Sequence, residues 1–402
     1  MTEITDDKGA EAEKFAYNLS KDKLLEEYCL LNPFIKNSDN KEVCDLLILF
    51  NDSCIIVSVK NYAFTGNQAR FDKKVFGKSK DQLLGAKRNL LLKKKCILVG
   101  KNGKEKEFDA DTINNYILIT LNYGHDPDAY KIVESEKDMI VHNFDKETFE
   151  TILFEIDSVP EIIDYLKKKE TLYRKDIAIN LIGKEKDLLA WFVTNKREFP
   201  KEWFEHDAKQ MMLDIDGRWD FYNTNEQTIL KRKADKISYF VDEMVKNDIA
   251  SLPQCKIIGD YLMSLNRTER RLFAHTFFEH CHAHKNKSSN FLSRRLMHET
   301  FHDASCLMLF YNSTLKEEEL DEFLKLTAEI YLYKKFSPHN KLIVIGTSKE
   351  IFPFKYGYLE RIDPYSDEEI EYYETVIKKF GWFTDLKYTH IGTKEYPNQD
   401  NQ

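Results

Sequence analysis

Two short runs carry the residues whose types and spacing could do chemistry. Leu46–Phe50 and Cys54–Lys60 are strand-like and are separated by Asn51-Asp52-Ser53, which is a hairpin signal with a short polar turn. Asp45 opens the first run and Lys60 closes the second. Antiparallel pairing about a turn near residue 52 brings Asp45 opposite Ser58 or Val59. Side chains alternate along a strand, so Ser58 and Lys60 point the same way. A carboxylate and an ammonium therefore meet at one edge of a small sheet. Just downstream the chain turns basic. Arg70 to Lys106 holds thirteen Lys and Arg against three acids, a net of +10 in a protein whose net charge is −8. A stripe of that sign on an acidic chain is the footprint of contact with a phosphate backbone.

The elements that must position these groups are legible from periodicity. Residues 9–27 read as a helix, with Ala12, Phe15, Ala16 and Leu19 at helical spacing. Glu13 rides on it. Residues 28–31 form a short apolar run that ends at Asn32-Pro33. Residues 71–94 predict a helix, and on it Lys78 and Gln82 lie one turn apart on a shared face. Cys96–Val99 and Tyr116–Leu121 predict two strands joined by a Lys- and Gly-rich turn, and residues 137–142 predict a further strand. Glu147–Phe154 and Pro160–Lys169 read as helices.

The order helix-with-Glu, Asp-bearing hairpin ending in Lys, and helix with Lys or Gln resembles the PD-(D/E)xK, or restriction-endonuclease-like, nuclease superfamily. Its positions are filled here by Glu13, Asp45, Ser58-Val59-Lys60, and Lys78 or Gln82. The stretches EAEKFAYNL, CDLLILFNDSCIIVSVKNY and KSKDQLLGAKRNL are also similar to a group of bacterial proteins that begin with such a domain. The likeness continues more weakly through VHNFDKETF, VPEIIDYLKKKE and LIVIGTSKE. It covers residues 9–95 well and the whole chain loosely. The resemblance implies an N-terminal restriction-endonuclease-like α/β/α domain. It implies Mg²⁺ or Mn²⁺ held by Asp45, Glu13 and the Val59 carbonyl, since hard ions take carboxylate and carbonyl oxygens. Lys60 would position the attacking water. Lys78 and Gln82 would contact the scissile phosphate, and Lys87 and Arg88 the flanking backbone. The implied activity is hydrolysis of nucleic acid, with DNA favoured, in a bacterial antiviral-defence effector.

One position departs from the family pattern. The second acid, at the first place of (E)xK, is Ser58, and a hydroxyl is a much poorer ligand than a carboxylate. Either another acid replaces it, Glu13 first and Glu42 next, or the domain only binds nucleic acid without cutting it.

The rest of the chain reads as a mostly helical middle, residues 181–285, and a smaller α/β region, 286–402, after a nuclease-like domain over 1–180. The expected helices are Asp187–Thr194, Gln227–Asn247, Lys256–Ser264, Arg267–His280 with Asn266 as N-cap, Leu315–Lys335 and Glu368–Lys379. The expected strands are Cys306–Tyr311 and Lys341–Thr347. His298-Glu299-Thr300-Phe301-His302 matches HExxH, a zinc-peptidase signature when it lies on a helix. The charged Asp303 that follows and the nearby strand make a poor setting for it. His275, His280, Cys281, His282 and His284 form a His-rich helix end that matches no standard zinc spacing. No apolar run reaches the 18 or more residues of a membrane span. The seven cysteines are scattered without CxxC pairs, and the N-terminus lacks an apolar leader. A cytoplasmic protein is expected. A protein or nucleotide activator and a second copy of the chain are the partners left open.

Overall fold

The computed structural model describes residues 3–38, 41–127, 130–136, 139–173, 178–204, 210–287, 291–298, 303–334, 340–384, 387 and 394–397. The chain is mixed α/β and divides into two compact units, Met1–Leu230 and Lys231–Gln402.

The first unit begins with helix α1 (Glu3–Leu24), followed by strands β1 (Cys29–Leu31), β2 (Phe34–Ile35), β3 (Leu46–Phe50) and β4 (Ser53–Lys60). Helix α2 (Gln68–Asp72) runs through a π-helical turn at Lys73–Gly77 into α3 (Lys78–Lys93). Then come β5 (Lys95–Val99), β6 (Glu105–Asp109), β7 (Asn115–Asn122), β8 (Val133–Glu136), β9 (Met139–Asp145), α4 (Lys146–Glu155) and α5 (Val159–Tyr173). Strand β10 (Ala178–Ile182), α6 (Glu185–Thr194), β11 (Gln210–Asp214) and α7 (Arg218–Thr224) follow, and α8 (Glu226–Ala234) runs across the division between the units.

Six strands form the central sheet, in the order β1-β3-β4-β7-β9-β8. The first three make an antiparallel meander, β7 and β9 run parallel to β4, and β8 closes the far edge antiparallel. Strands β3 and β4 are buried almost throughout, as continuous apolar runs must be when both faces of a sheet are covered. Leu47, Leu49, Cys54, Ile56, Leu118 and Val141 pack on one face against Leu83, Ala86 and Leu90 of α3. Those three repeat at helical spacing. The alternate positions, among them Ile55, Val57, Ile117 and Ile119, are equally buried beneath α1, α4 and α5, which contact the same strands. The unit is thus an α/β/α sandwich.

The strand ends near Lys60 are strapped in place. Asn122, at the end of β7, accepts a hydrogen bond from the Tyr62 N–H (3.1 Å) and donates to the Tyr62 carbonyl (2.9 Å). Gly124 packs so close that a Cβ there would stand 2.6 Å from the Tyr62 carbonyl carbon. Gly124→Ala is expected to lower stability by about 1–3 kcal/mol, the usual cost of overpacking against groups that cannot yield. A thermal melt of the purified variant measures it, and an unchanged midpoint would contradict the packing.

Several expectations change. Strand β4 starts at Ser53, so the turn is the two residues Asn51-Asp52. Asn51 takes φ 50°, a left-handed conformation that Asn tolerates. Cys96–Val99 and Tyr116–Leu121 are not neighbours. The former is β5, which pairs with β2 and β6 in a separate three-stranded sheet, while the latter lies in the central sheet.

The second unit contains α9 (Tyr239–Asn247), α10 (Lys256–Ser264), α11 (Arg267–His284), β12 (Phe291–His298), β13 (Ser305–Asn312), α12 (Glu317–Tyr333), β14 (Lys341–Thr347), β15 (Lys355–Glu360) and α13 (Asp367–Phe380). Its sheet has the order β12-β13-β14-β15, with β13 and β14 parallel. Leu320, Leu324 and Ala328 of α12 pack against Leu307, Leu309, Leu342 and Val344. Asn266 caps α11 with a capping box, as its sequence suggests. The helix expected over Gln227–Asn247 is broken by a 3₁₀ turn at Asp235–Ser238. There the Asp235 carboxylate is buried between Lys231 and Arg271, 2.8 Å from each.

Side-chain bonds cross residues 180 and 285, the divisions suggested by the sequence. Helix α6 is tied to α5 by a buried Lys169–Glu185 pair. The α11 end is tied to β12 through His284–Ser293 and Arg295–Thr276 hydrogen bonds.

Candidate active site

The β3–β4 register pairs Leu46 with Val57, so Asp45, one step further, comes opposite Ser58. Its Oδ2 accepts a hydrogen bond from the Val59 N–H and lies 3.9 Å from Lys60 Nζ. Both side chains are largely buried. Lys60 Nζ donates to Ser58 Oγ (2.7 Å) and to the Val59 carbonyl (3.1 Å), and Ser58 Oγ donates to Gln82 Oε1 (3.1 Å). Ser58 therefore links the Lys60 ammonium to α3. The acid, the base and the α3 amide that the sequence singled out stand together at the carboxyl end of β4.

The acids gather around Asn32, which the sequence showed only as the end of an apolar run. Asn32 Nδ2 donates to Glu13 Oε2 (3.0 Å), and Glu42 lies close enough for both Asn32 and Asp45 to influence its carboxyl. Burial, and then the Asp45 charge, push the Glu42 carboxyl up to about 7, and the Glu13 charge adds to this. Burial pulls the Lys60 ammonium below its ordinary value. Asp45, Glu13 and Glu42 oppose that, while the nearby Lys78 charge reinforces it. Glu13, Glu42, Asp45, Lys60 and Lys78 are thus within electrostatic reach of one another.

Lys78 and Gln82 are exposed on the same face of α3. Lys87 is not brought to this end. Its Nζ sits 5.1 Å over the Tyr116 ring and 3.6 Å from the Met139 sulfur. Tyr116 pairs with Cys54, six residues before Lys60, or about 20 Å along a strand. Arg88 is exposed beside it.

Among the described residues, no three His, Cys, Asp or Glu side chains are already disposed to hold a metal ion. The donor chemistry of the β4 cluster nevertheless fits a hard divalent cation. It offers carboxylate oxygens, an amide oxygen and a main-chain carbonyl. The Asp45 and Glu13 charges, which help to push the Glu42 carboxyl up, are the repulsion that such a cation relieves.

The two histidine-rich motifs of the second half take other forms. His298 is the last residue of β12, so it does not begin a helix, and residues 299–302 lie outside the described residues. His275, His280, Cys281, His282 and His284 all fall within α11, which runs to His284. His280 and His284, one turn apart, pack edge to face with ring centroids at 5.0 Å. Burial pulls His280 down to about 4, so it is neutral at physiological pH. His284 Nε2 is 3.0 Å from Ser293 Oγ.

No protein-family model, no curated protein and no solved structure matches the chain. Among the described residues, no helix is long and apolar enough to cross a membrane.

Proposed function

We propose that the first unit is a Mg²⁺- or Mn²⁺-dependent nuclease of the PD-(D/E)xK kind that hydrolyses phosphodiester bonds, DNA before RNA. The observation that carries this reading is the convergence of Asp45 and Lys60, 3.9 Å apart, with Glu13 and Glu42 at the same sheet edge and Lys78 beside them. Asp45 and Glu13 hold the ion, Glu42 supplies the acid that Ser58 does not, and the Val59 carbonyl lies alongside. Bound there, the ion supplies Lewis-acid polarisation of the phosphoryl oxygen and a lowered water pKa. Lys60, steered by Ser58 and the Val59 carbonyl, orients the water and offsets charge that develops on the phosphate. Lys78 and Gln82 face the scissile phosphate, and the remaining exposed bases of residues 70–106 grip the backbone. Antiviral defence, with activity released by a protein or nucleotide activator, is the biological setting we propose on the sequence resemblance.

A second reading, a nuclease fold that binds without cutting, is favoured by Ser58, whose hydroxyl is engaged with Lys60 and Gln82. Plasmid incubated with Mg²⁺ or Mn²⁺ separates the two. Cleavage by the wild type that vanishes in Asp45→Ala and Lys60→Ala supports the enzyme. Retention of plasmid with no cleavage under either metal supports the binder.

A further inference from the structure

We propose that Asn32 is a member of the cation site, its Nδ2 holding Glu13 and its Oδ1 serving as a neutral oxygen donor to the divalent ion. The proposal rests on the metal-dependent reading above and assigns that site a residue outside the family motif.

Asn32 is 8% exposed, and its Oδ1 is buried with no hydrogen-bond partner. A buried acceptor without a partner is costly and rare. The orientation of the amide is fixed by its neighbours. Only the NH₂ group can donate to a carboxylate, and Glu13 takes that bond. The oxygen is therefore the end left without a partner.

The residue is also rigidly placed. Its N–H donates to the Asp45 carbonyl at 2.9 Å, so the main chain that bears Asp45 holds Asn32 directly. Its φ is 44°, a left-handed conformation that Asn adopts far more readily than most residues. An amide oxygen is a normal ligand for hard divalent ions. It adds a donor without adding a negative charge to a cluster in which Glu42 and Asp45 already repel. Glu42 and Asn32 together thus supply from the β1–β3 connection what Ser58 no longer supplies from β4.

The test uses Mn²⁺ alone as the probe, titrated against the full chain and followed by the loss of the free-ion electron paramagnetic resonance signal. Asn32→Gly keeps the left-handed backbone and deletes the amide. It is expected to bind Mn²⁺ about 10- to 100-fold more weakly than wild type, the usual cost of stripping an ion site of a supporting group. Asn32→Asp keeps an oxygen at the Oδ1 position, and its added negative charge attracts the cation enough to offset the lost Nδ2 bond to Glu13, so it is expected to bind at least as tightly as wild type. Asp45→Asn is expected to lose binding, which places the ion. Circular-dichroism melts establish that each variant is folded, and Asn32→Asp carries the test if Asn32→Gly is not. Wild-type affinity in a folded Asn32→Gly, or a large loss in a folded Asn32→Asp, overturns the Asn32 assignment alone. Absence of bound Mn²⁺ in the wild type overturns it together with the metal-dependent reading.

Discussion

Asp45→Asn is expected to reduce metal-dependent cleavage by at least about 10²- to 10³-fold, the scale on which removal of one preorganised electrostatic group acts on a reaction, while leaving the fold as stable as before or more so. The substitution separates charge from shape. The Asn side chain still offers an oxygen to the Val59 N–H that Asp45 Oδ2 now binds, so the β3–β4 edge keeps its local bond. What disappears is the charge that faces Lys60 and that repels Glu42. In the absence of a cation, that repulsion is a cost to the folded chain, and its relief is the reason the melting temperature does not fall. Sites built for function commonly carry such a cost. Cleavage rates on a labelled duplex at saturating Mg²⁺, together with thermal melts in chelator, measure both halves. A variant that cuts at the wild-type rate refutes the site. A variant that is inactive because it is unfolded shows that Asp45 is structural.

Much of this site is legible in the sequence because it depends on local periodicity. The hairpin follows from two apolar runs and a polar turn, and alternation alone puts Asp45, Ser58 and Lys60 on one face, where they are found. The α3 face follows from Leu83, Ala86 and Leu90. The parts that do not follow are set by tertiary contacts. Asn32 sits 19 residues from Glu13, in a connection with no period, and nothing in Asn32-Pro33 announces a buried amide. Glu42 is a candidate acid in the sequence, but only the fold brings it within reach of Asp45 and Glu13. Charge counting places Lys87 in a phosphate-binding stripe but does not show that its ammonium lies 5.1 Å over the Tyr116 ring. Strand β5 has the composition of a central strand, yet it joins the small sheet, a choice made by which edge is open and not by the strand itself. The turn at Asp235–Ser238 interrupts a helical pattern without Gly or Pro, so no local breaker announces it.

The largest stability effect is expected on the opposite face of the same sheet. Lys169 of α5 and Glu185 at the start of α6 form a 2.6 Å ion pair whose side chains are both 0% exposed. Lys169 Nζ also donates to the Ile132 carbonyl at 3.2 Å, and the Tyr165 hydroxyl donates to the other oxygen of Glu185. Close by, His142 lies 3.5 Å from Glu170, also buried. Lys169→Met fills the same volume but leaves the Glu185 carboxylate without its cation in a dry interior. The expected loss is about 3–5 kcal/mol, as for other buried pairs broken on one side, a large fraction of what holds a domain folded. Adding Glu185→Gln removes the stranded charge and keeps an acceptor for Tyr165, so the double variant is expected to recover most of the loss. That asymmetry between single and double variants is the signature of an uncompensated charge. A lost packing contact would be lost equally in both. Urea unfolding followed by circular dichroism reads the three proteins, and a Lys169→Met midpoint equal to wild type would show that the pair is not buried in solution. Because this pair lies across the sheet from Ser58 and Lys60, the double variant is also expected to keep the cleavage activity that Asp45→Asn loses, which ties the first effect to the β4 edge and not to the stability of the unit.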